Sequence, residues 1–220
     1  MTYDSAHEPL PSALFERLDE APDALFYFAP RFVQHIDVET IAALTAYYRQ
    51  YLHAGADVLD LMSSWVSHLP DALSLGHVVG VGLNAEELAA NPRLRQWMVQ
   101  DLNTDHELRF DDASFDAVLI AVSIQYLIEP VAVMAEVARV LRPGGQLIIA
   151  TSHRCFPTKA VRAFRILEPN ARLRLIGEYI QHAGGFSPAQ YDDYSPGGAD
   201  PLWLVRAARL MAGYDHRVVE

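Results

Sequence analysis

The sequence predicts a doubly wound α/β domain with a mostly parallel sheet. Short apolar runs recur along the chain with helix-compatible segments between them, and strands joined this way form parallel βαβ units. The run Ala117–Val122 is apolar throughout, as a strand buried on both faces must be. A late pair, Phe186–Asp192 and Leu202–Ala208, is joined only by turn formers, which predicts an antiparallel hairpin at one edge. Seven strands are expected in all.

Bulk properties agree. A chain of 220 residues can bury a full core as one domain, and 51% hydrophobic against 20% charged residues describes a globular protein. Seventeen Lys and Arg against 28 Asp and Glu give a net charge of -11, which disfavours broad binding to nucleic-acid phosphates. The lone Cys155 leaves no internal disulfide and fits a reducing compartment. The opening residues have no basic or apolar leader, and no run reaches the roughly 18 apolar residues of a membrane span. A cytoplasmic protein acting on a small molecule, without nucleic-acid or membrane partners, is expected. The oligomeric state is not legible.

In chain order, Ser12–Leu18 is a short candidate helix, and Phe26–Asp37 is dense in aromatics and carries Tyr27, Arg31 and His35. Asp37 can cap a helix to about Leu52, with Ile41, Leu44, Tyr48 and Leu52 on one face. Residues 1–53 thus form a helical preface, and 54–220 the α/β core. Val58–Leu61 is the first strand, followed by a predicted helix around Ser67–Ser74. His77–Val81 is the second strand, with a helix opening at Asn84. Trp97–Gln100 is the third, ending at Asp101. After Ala117–Val122, Pro130 suits the first turn of a helix that Pro143-Gly144-Gly145 ends. Gln146–Ser152 is the fifth strand. Helical stretches are expected at Ala160–Leu167 and before Gly184.

Open α/β sheets bind ligands beyond the carboxyl ends of their strands, where strand order reverses. Asp60 ends the first strand and can hold an ammonium or hydroxyl, or simply cap the next turn. Met62, Ser64 and Val66 stand where a pyrophosphate-cradling turn needs glycines, which disfavours a nicotinamide dinucleotide. The hydroxyls of Ser63 and Ser64 can meet a carboxylate or cap a helix. Gly82 follows the second strand where a ribose-binding acid is usual, leaving Asn84 or Glu86 to reach a sugar. Asp101 can accept from an exocyclic amine, or act as a turn residue. The loops Ser123–Tyr126 and His153–Pro157 leave from the same sheet edge. His153, His35 and Tyr126 are the candidates for proton transfer, although a histidine in such a loop is more often a surface residue. The nine histidines show no metal-ligand spacing.

The segments VLDLMSSWVSH, VVGVGLN, VQDLN, FDAVLIAVSIQYL and ARVLRPGGQLIIATS together resemble the class I S-adenosylmethionine-dependent methyltransferases, in particular the type 11 domain. The resemblance covers about Asp57–Ser152. It implies a Rossmann-like fold with an N-terminal helical lid, S-adenosyl-L-methionine as cofactor, and methyl transfer to a small molecule. By position it implies Asp60 at the methionine amino group, with Met62, Ser63 and Ser64 in the altered loop beside it. Asp101 falls at the adenine amine with Leu102 stacked on the ring, and Ala121, Val122 and Ser123 at the methionine end. Arg31, Tyr27 and His35 would come from the lid. Two departures stand out: the loop D-x-G-x-G-x-G reads DLMSSWVS, and the ribose acid is Gly82. Losing that carboxylate costs about 1.5–3 kcal/mol, typical for a hydrogen bond to a charged group. A catalytically inactive domain of the same fold is the alternative that these departures raise.

Overall fold

In the computed structural model, which describes residues 9–211, seven strands form one sheet in the order β3-β2-β1-β4-β5-β7-β6. The strands are β1 (Val58–Leu61), β2 (Val78–Gly82), β3 (Gln96–Val99), β4 (Phe115–Ala121), β5 (Leu141–Thr151), β6 (Gln190–Asp193) and β7 (Trp203–Ala208). β1 to β5 pair in parallel, and β7 runs antiparallel between β5 and β6. The edge hairpin is therefore as expected. β6 is shorter than its apolar pattern suggested, because Phe186 makes only an isolated bridge, to Arg209.

Both faces of the sheet are covered. On one, α4 (Pro130–Val140) and α6 (Pro169–Ala183) bury Val133, Val137, Ile176 and Ile180 against Leu59, Val118 and Leu147. On the other, α2 (Val38–Tyr51) buries Leu44, Tyr47 and Tyr48 against Val58, Leu119 and Ile148. The alternation of strand residues between the two clusters is the period-two pattern of a sheet buried on both sides. Asp37 caps α2 as expected, its Oδ1 accepting the Thr40 N–H at 2.9 Å. Pro130 and Pro169 begin α4 and α6, where their missing N–H groups leave no bond unmade. Shorter helices are α1 (Asp23–Phe26), α3 (Ala85–Ala90) and α5 (Arg162–Ile166).

Two expectations fail locally. No helix forms at Ser67–Ser74, and β1 returns to β2 through an irregular loop. Pro70 would lack a donor in a helix interior, and His68 takes a left-handed backbone (φ 53°) that ends any helical run. The loop is held instead by side chains: Asn91 Nδ2 donates to Ser67 Oγ at 2.8 Å and to the Ser64 carbonyl at 2.9 Å. The segment Ser12–Leu18 gives only a 3₁₀ turn, Ser12–Phe15. Residues 1–8 of the expected helical preface lie outside the described residues. Among the described residues no helix is long and apolar enough to cross a membrane.

Candidate functional site

Strand order reverses between β1 and β4, so the crevice beyond their carboxyl ends is the expected ligand position. A cavity of about 310 Å³ lies there. Immediately past the two strands, Met62 (φ 59°) and Val122 (φ 50°) adopt the left-handed backbone. Side chains with a Cβ rarely take it, and such residues gather at ligand sites. The first loop therefore keeps the backbone bend of a glycine without having one.

Asp60, next to last in β1, is buried and borders the cavity. Its Oδ2 accepts hydroxyl hydrogens from Ser63 and Ser67, both at 2.6 Å, while Oδ1 has no hydrogen-bond partner among the described residues. Burial pushes its pKa from 3.8 up to about 6, against the lowering by the two hydroxyls. Folding thus favours the protonated acid: this contribution to stability is complete below pH 3.8 and is lost as pH rises through about 6. A cation against Oδ1 would favour the carboxylate.

Asp101 follows β3 and also borders the cavity. One oxygen accepts the Asn103 N–H at 2.9 Å; the other has no partner among the described residues. Desolvation raises its pKa. Leu102, buried, lies beside it. Two further residues of the lining each carry a buried side-chain oxygen without a partner, Gln100 Oε1 and Ser123 Oγ. Unpaired polar atoms around one cavity are what a polar ligand would satisfy. Residues bordering this space therefore fit a compound with an ammonium, an exocyclic amine and hydroxyls.

Gly82 has a steric cause. A Cβ built on it would lie 2.2 Å from the Ser63 carbonyl oxygen, so the altered first loop occupies the space an acid would need. Asn84 does not face the cavity with a spare group. Its Oδ1 caps α3 by accepting from Glu86 and Glu87, and its Nδ2 donates to the carbonyls of Tyr27 (2.9 Å) and Phe28 (3.1 Å). Glu86 is exposed and lies off the cavity lining. Glu87, which sequence reasoning passed over, is buried and borders the cavity, bound to Ser64 Oγ at 2.6 Å and to the Arg31 N–H at 2.7 Å. A carboxylate has about four acceptor sites, so capacity remains.

The segment before α2 contributes to the lining of the cavity. Arg31 lines it, its guanidinium donating to the Phe26 carbonyl at 2.7 Å and lying over the Phe26 ring at 4.5 Å. Tyr27 and His35 line it too. Burial lowers the His35 pKa, which keeps its ring neutral near pH 7. Below this segment sits a buried cluster that the sequence did not reveal. Asp23 receives two 2.8 Å bonds from Arg17, one of 2.8 Å from Asn103, and lies 3.1 Å from Lys159 Nζ. Lys159 is 0% exposed and also donates to the Ala21 carbonyl at 2.6 Å.

His153 is a correction. Its side chain is 54% exposed, with Nε2 3.5 Å from Asp200, and it does not line the cavity, whereas Cys155, Phe156 and Arg154, itself exposed and 2.7 Å from Asp200, do. Tyr126 does line it, but its hydroxyl accepts the Phe156 N–H at 2.8 Å and burial raises its pKa to about 12, so it is held as a neutral phenol. His68 lines it and was missed, since only the folded loop brings it there. Among the described residues no group of three or more His, Cys, Asp or Glu is placed to hold a metal ion.

Residues 62–149 match the type 11 family described as a methyltransferase domain. The chain is 35% identical over 100 residues to a demethylmenaquinone methyltransferase of Clavibacter sepedonicus, covering 44% of this chain and 41% of that protein. It is 32% identical over 103 residues to a malonyl-[acyl-carrier protein] O-methyltransferase of Hahella chejuensis, covering 43% and 36%. The chain thus spans less than half the length of these curated relatives. Among solved structures, phosphoethanolamine N-methyltransferase 2 of Haemonchus contortus in complex with S-adenosyl-L-methionine superposes with a TM-score of 0.56 at 16% identity, over 79% of this chain and 52% of that one. That likeness concerns the fold. The family match itself runs from the first loop through β2 and β4 to most of β5, and it is this segment, residues 62–149, that is identified as a methyltransferase domain.

Proposed function

We propose that this chain binds S-adenosylmethionine in the cavity at the strand-order reversal and transfers its methyl group to a small-molecule acceptor. The observation that supports this most is the pair Asp60 and Asp101, each offering one unpartnered oxygen to the same cavity from the ends of β1 and β3. In this reading Asp101 accepts from the adenine amine with Leu102 against the ring, and Asp60 with Ser63 takes the ammonium. Ser64, Val122 and Ser123 flank the methionine end, and Arg31 meets its carboxylate. Glu87 is the carboxylate available to the ribose in place of Gly82.

Bound there, the cofactor supplies a methyl group on a positively charged sulfur. The chain has to orient an acceptor in line with that methyl, exclude water and give the acceptor proton somewhere to go. The segment through Tyr27, Arg31 and His35 suits the second task, and His35 the third. A net charge of -11 and a single partly buried thiol suit a cytoplasmic enzyme of small molecules.

Asp101→Ala is expected to weaken S-adenosylhomocysteine binding about 10- to 100-fold, the worth of a hydrogen bond to a charged acceptor. Calorimetric titration of both proteins checks this, and equal affinities would remove Asp101 from the site. One observation favours a second reading, a binding domain without catalysis: the glycines of the first loop and the ribose acid at Gly82 are both missing, and the Ser63 carbonyl closes the space such an acid would need. Cofactor binding without label transfer from methyl-labelled S-adenosylmethionine to any small molecule of a cell extract would favour it.

A further inference from the structure

Three features converge on His68. Its ring lines the cavity, and its Nδ1 is buried without a hydrogen-bond partner. It holds a left-handed backbone, φ 53°, fixed where Thr45 Oγ1 donates to its carbonyl at 2.9 Å. Strained backbone and an unpaired buried polar atom both work against folding, and they persist together where a site requires them. Nothing in the packing of the loop explains the residue: the side chain makes no hydrogen bond to another described residue. With Nδ1 sealed, Nε2 is the ring atom left to meet a ligand.

The surroundings suit a neutral imidazole. His35 lines the same cavity and its ring packs edge-on against Phe156 at 5.5 Å. Burial, with His35 adding to it, lowers the His68 pKa to about 4, so the ring is uncharged near pH 7. Phe156, Tyr126, Val33 and Val66 give the same cavity apolar and aromatic lining, beside the polar Gln34 and Arg154.

Resting on the methyl-transfer reading above, we propose that His68, with His35 beside it, forms the acceptor end of the cavity and serves as the base for an acceptor that is methylated on oxygen or nitrogen. The acceptor's O–H or N–H donates to Nε2. As the acceptor's electron pair forms the bond to the methyl carbon, the carbon–sulfur pair stays on sulfur and the acceptor's proton passes to Nε2, later leaving to water. A carbon or thiolate nucleophile would not need this arrangement.

His68→Asn tests it, because asparagine tolerates a left-handed backbone but cannot take the proton. Wild type and variant are titrated with S-adenosylhomocysteine and then incubated with [methyl-¹³C]S-adenosylmethionine and the small-molecule fraction of a cell extract, with products read by carbon NMR. The expected result is an O-methyl or N-methyl signal with wild type, formed about 100-fold or more slowly by the variant, as for loss of a general base. S-adenosylhomocysteine affinity should be the same in both. A C-methyl or S-methyl product, or a variant as fast as wild type, would overturn the role of His68 while leaving methyl transfer intact. A wild type that labels nothing overturns the methyl-transfer reading and this proposal with it.

Discussion

Asp23→Ala is expected to lower stability by about 3–5 kcal/mol, the cost of stranding buried charge. Removing this carboxylate leaves the fully buried Lys159 with Asp19 and carbonyls for company, and Arg17 with the exposed Glu20. It also leaves Asn103 Nδ2 with the Tyr126 carbonyl alone, at 2.9 Å, while the amide oxygen of Asn103 accepts the Ile128 N–H at 2.9 Å. The loss is measured by urea denaturation. It should come with faster proteolytic cutting between residues 9 and 37, since Asp23 joins that segment to Lys159 and Asn103. Asp23→Ala combined with Lys159→Met should recover much of the stability, because an apolar side chain of similar length needs no counter-charge. A single variant within 1 kcal/mol of wild type, roughly the value of an exposed pair, would show that the cluster is solvated.

Gly82→Asp carries the second large effect. The resemblance alone suggests that an acid here would restore a ribose contact and tighten binding. The geometry predicts the opposite. The added Cβ meets the Ser63 carbonyl oxygen at 2.2 Å, and Ser63 is itself tied by its N–H to the Val81 carbonyl at 2.7 Å. Backbone cannot give way as a flexible side chain can, so the variant should lose about 3 kcal/mol, the upper range for overpacking. Displacing Ser63 would also disturb Asp60, so S-adenosylhomocysteine should bind more weakly than to wild type. Thermal unfolding and calorimetry report both quantities. Tighter binding at unchanged stability would mean that the first loop yields easily.

These two variants mark where the sequence stops being readable. The mostly parallel sheet, the edge hairpin and the cap of α2 follow from patterns that local chemistry imposes: apolar runs, turn formers between two late strands, Asp37 before a periodic face. Asp60 and Asp101 were legible because a strand end fixes where a side chain emerges. The loop after β1 was not. Its left-handed residues are Met62 and His68, and no glycine announces them. Likewise Lys159, in a Pro-Thr-Lys stretch, reads as a surface residue until Asp23 arrives from 136 positions earlier. His153 misled for the converse reason: its loop leaves from the right edge, but the ring stays exposed beside Asp200. Glu87 sits in the first turn of α3, where an acid usually serves only the helix dipole.

The central claim is that a first loop built without glycines still shapes a site for S-adenosylmethionine. Its most direct test is titration of the wild-type protein with S-adenosylhomocysteine, by calorimetry and by thermal unfolding. Saturable one-to-one binding is predicted, with the folded state stabilised by about 2.7 kcal/mol when ligand stands 100-fold above the dissociation constant. No heat and no shift of the unfolding transition at millimolar S-adenosylhomocysteine would contradict it.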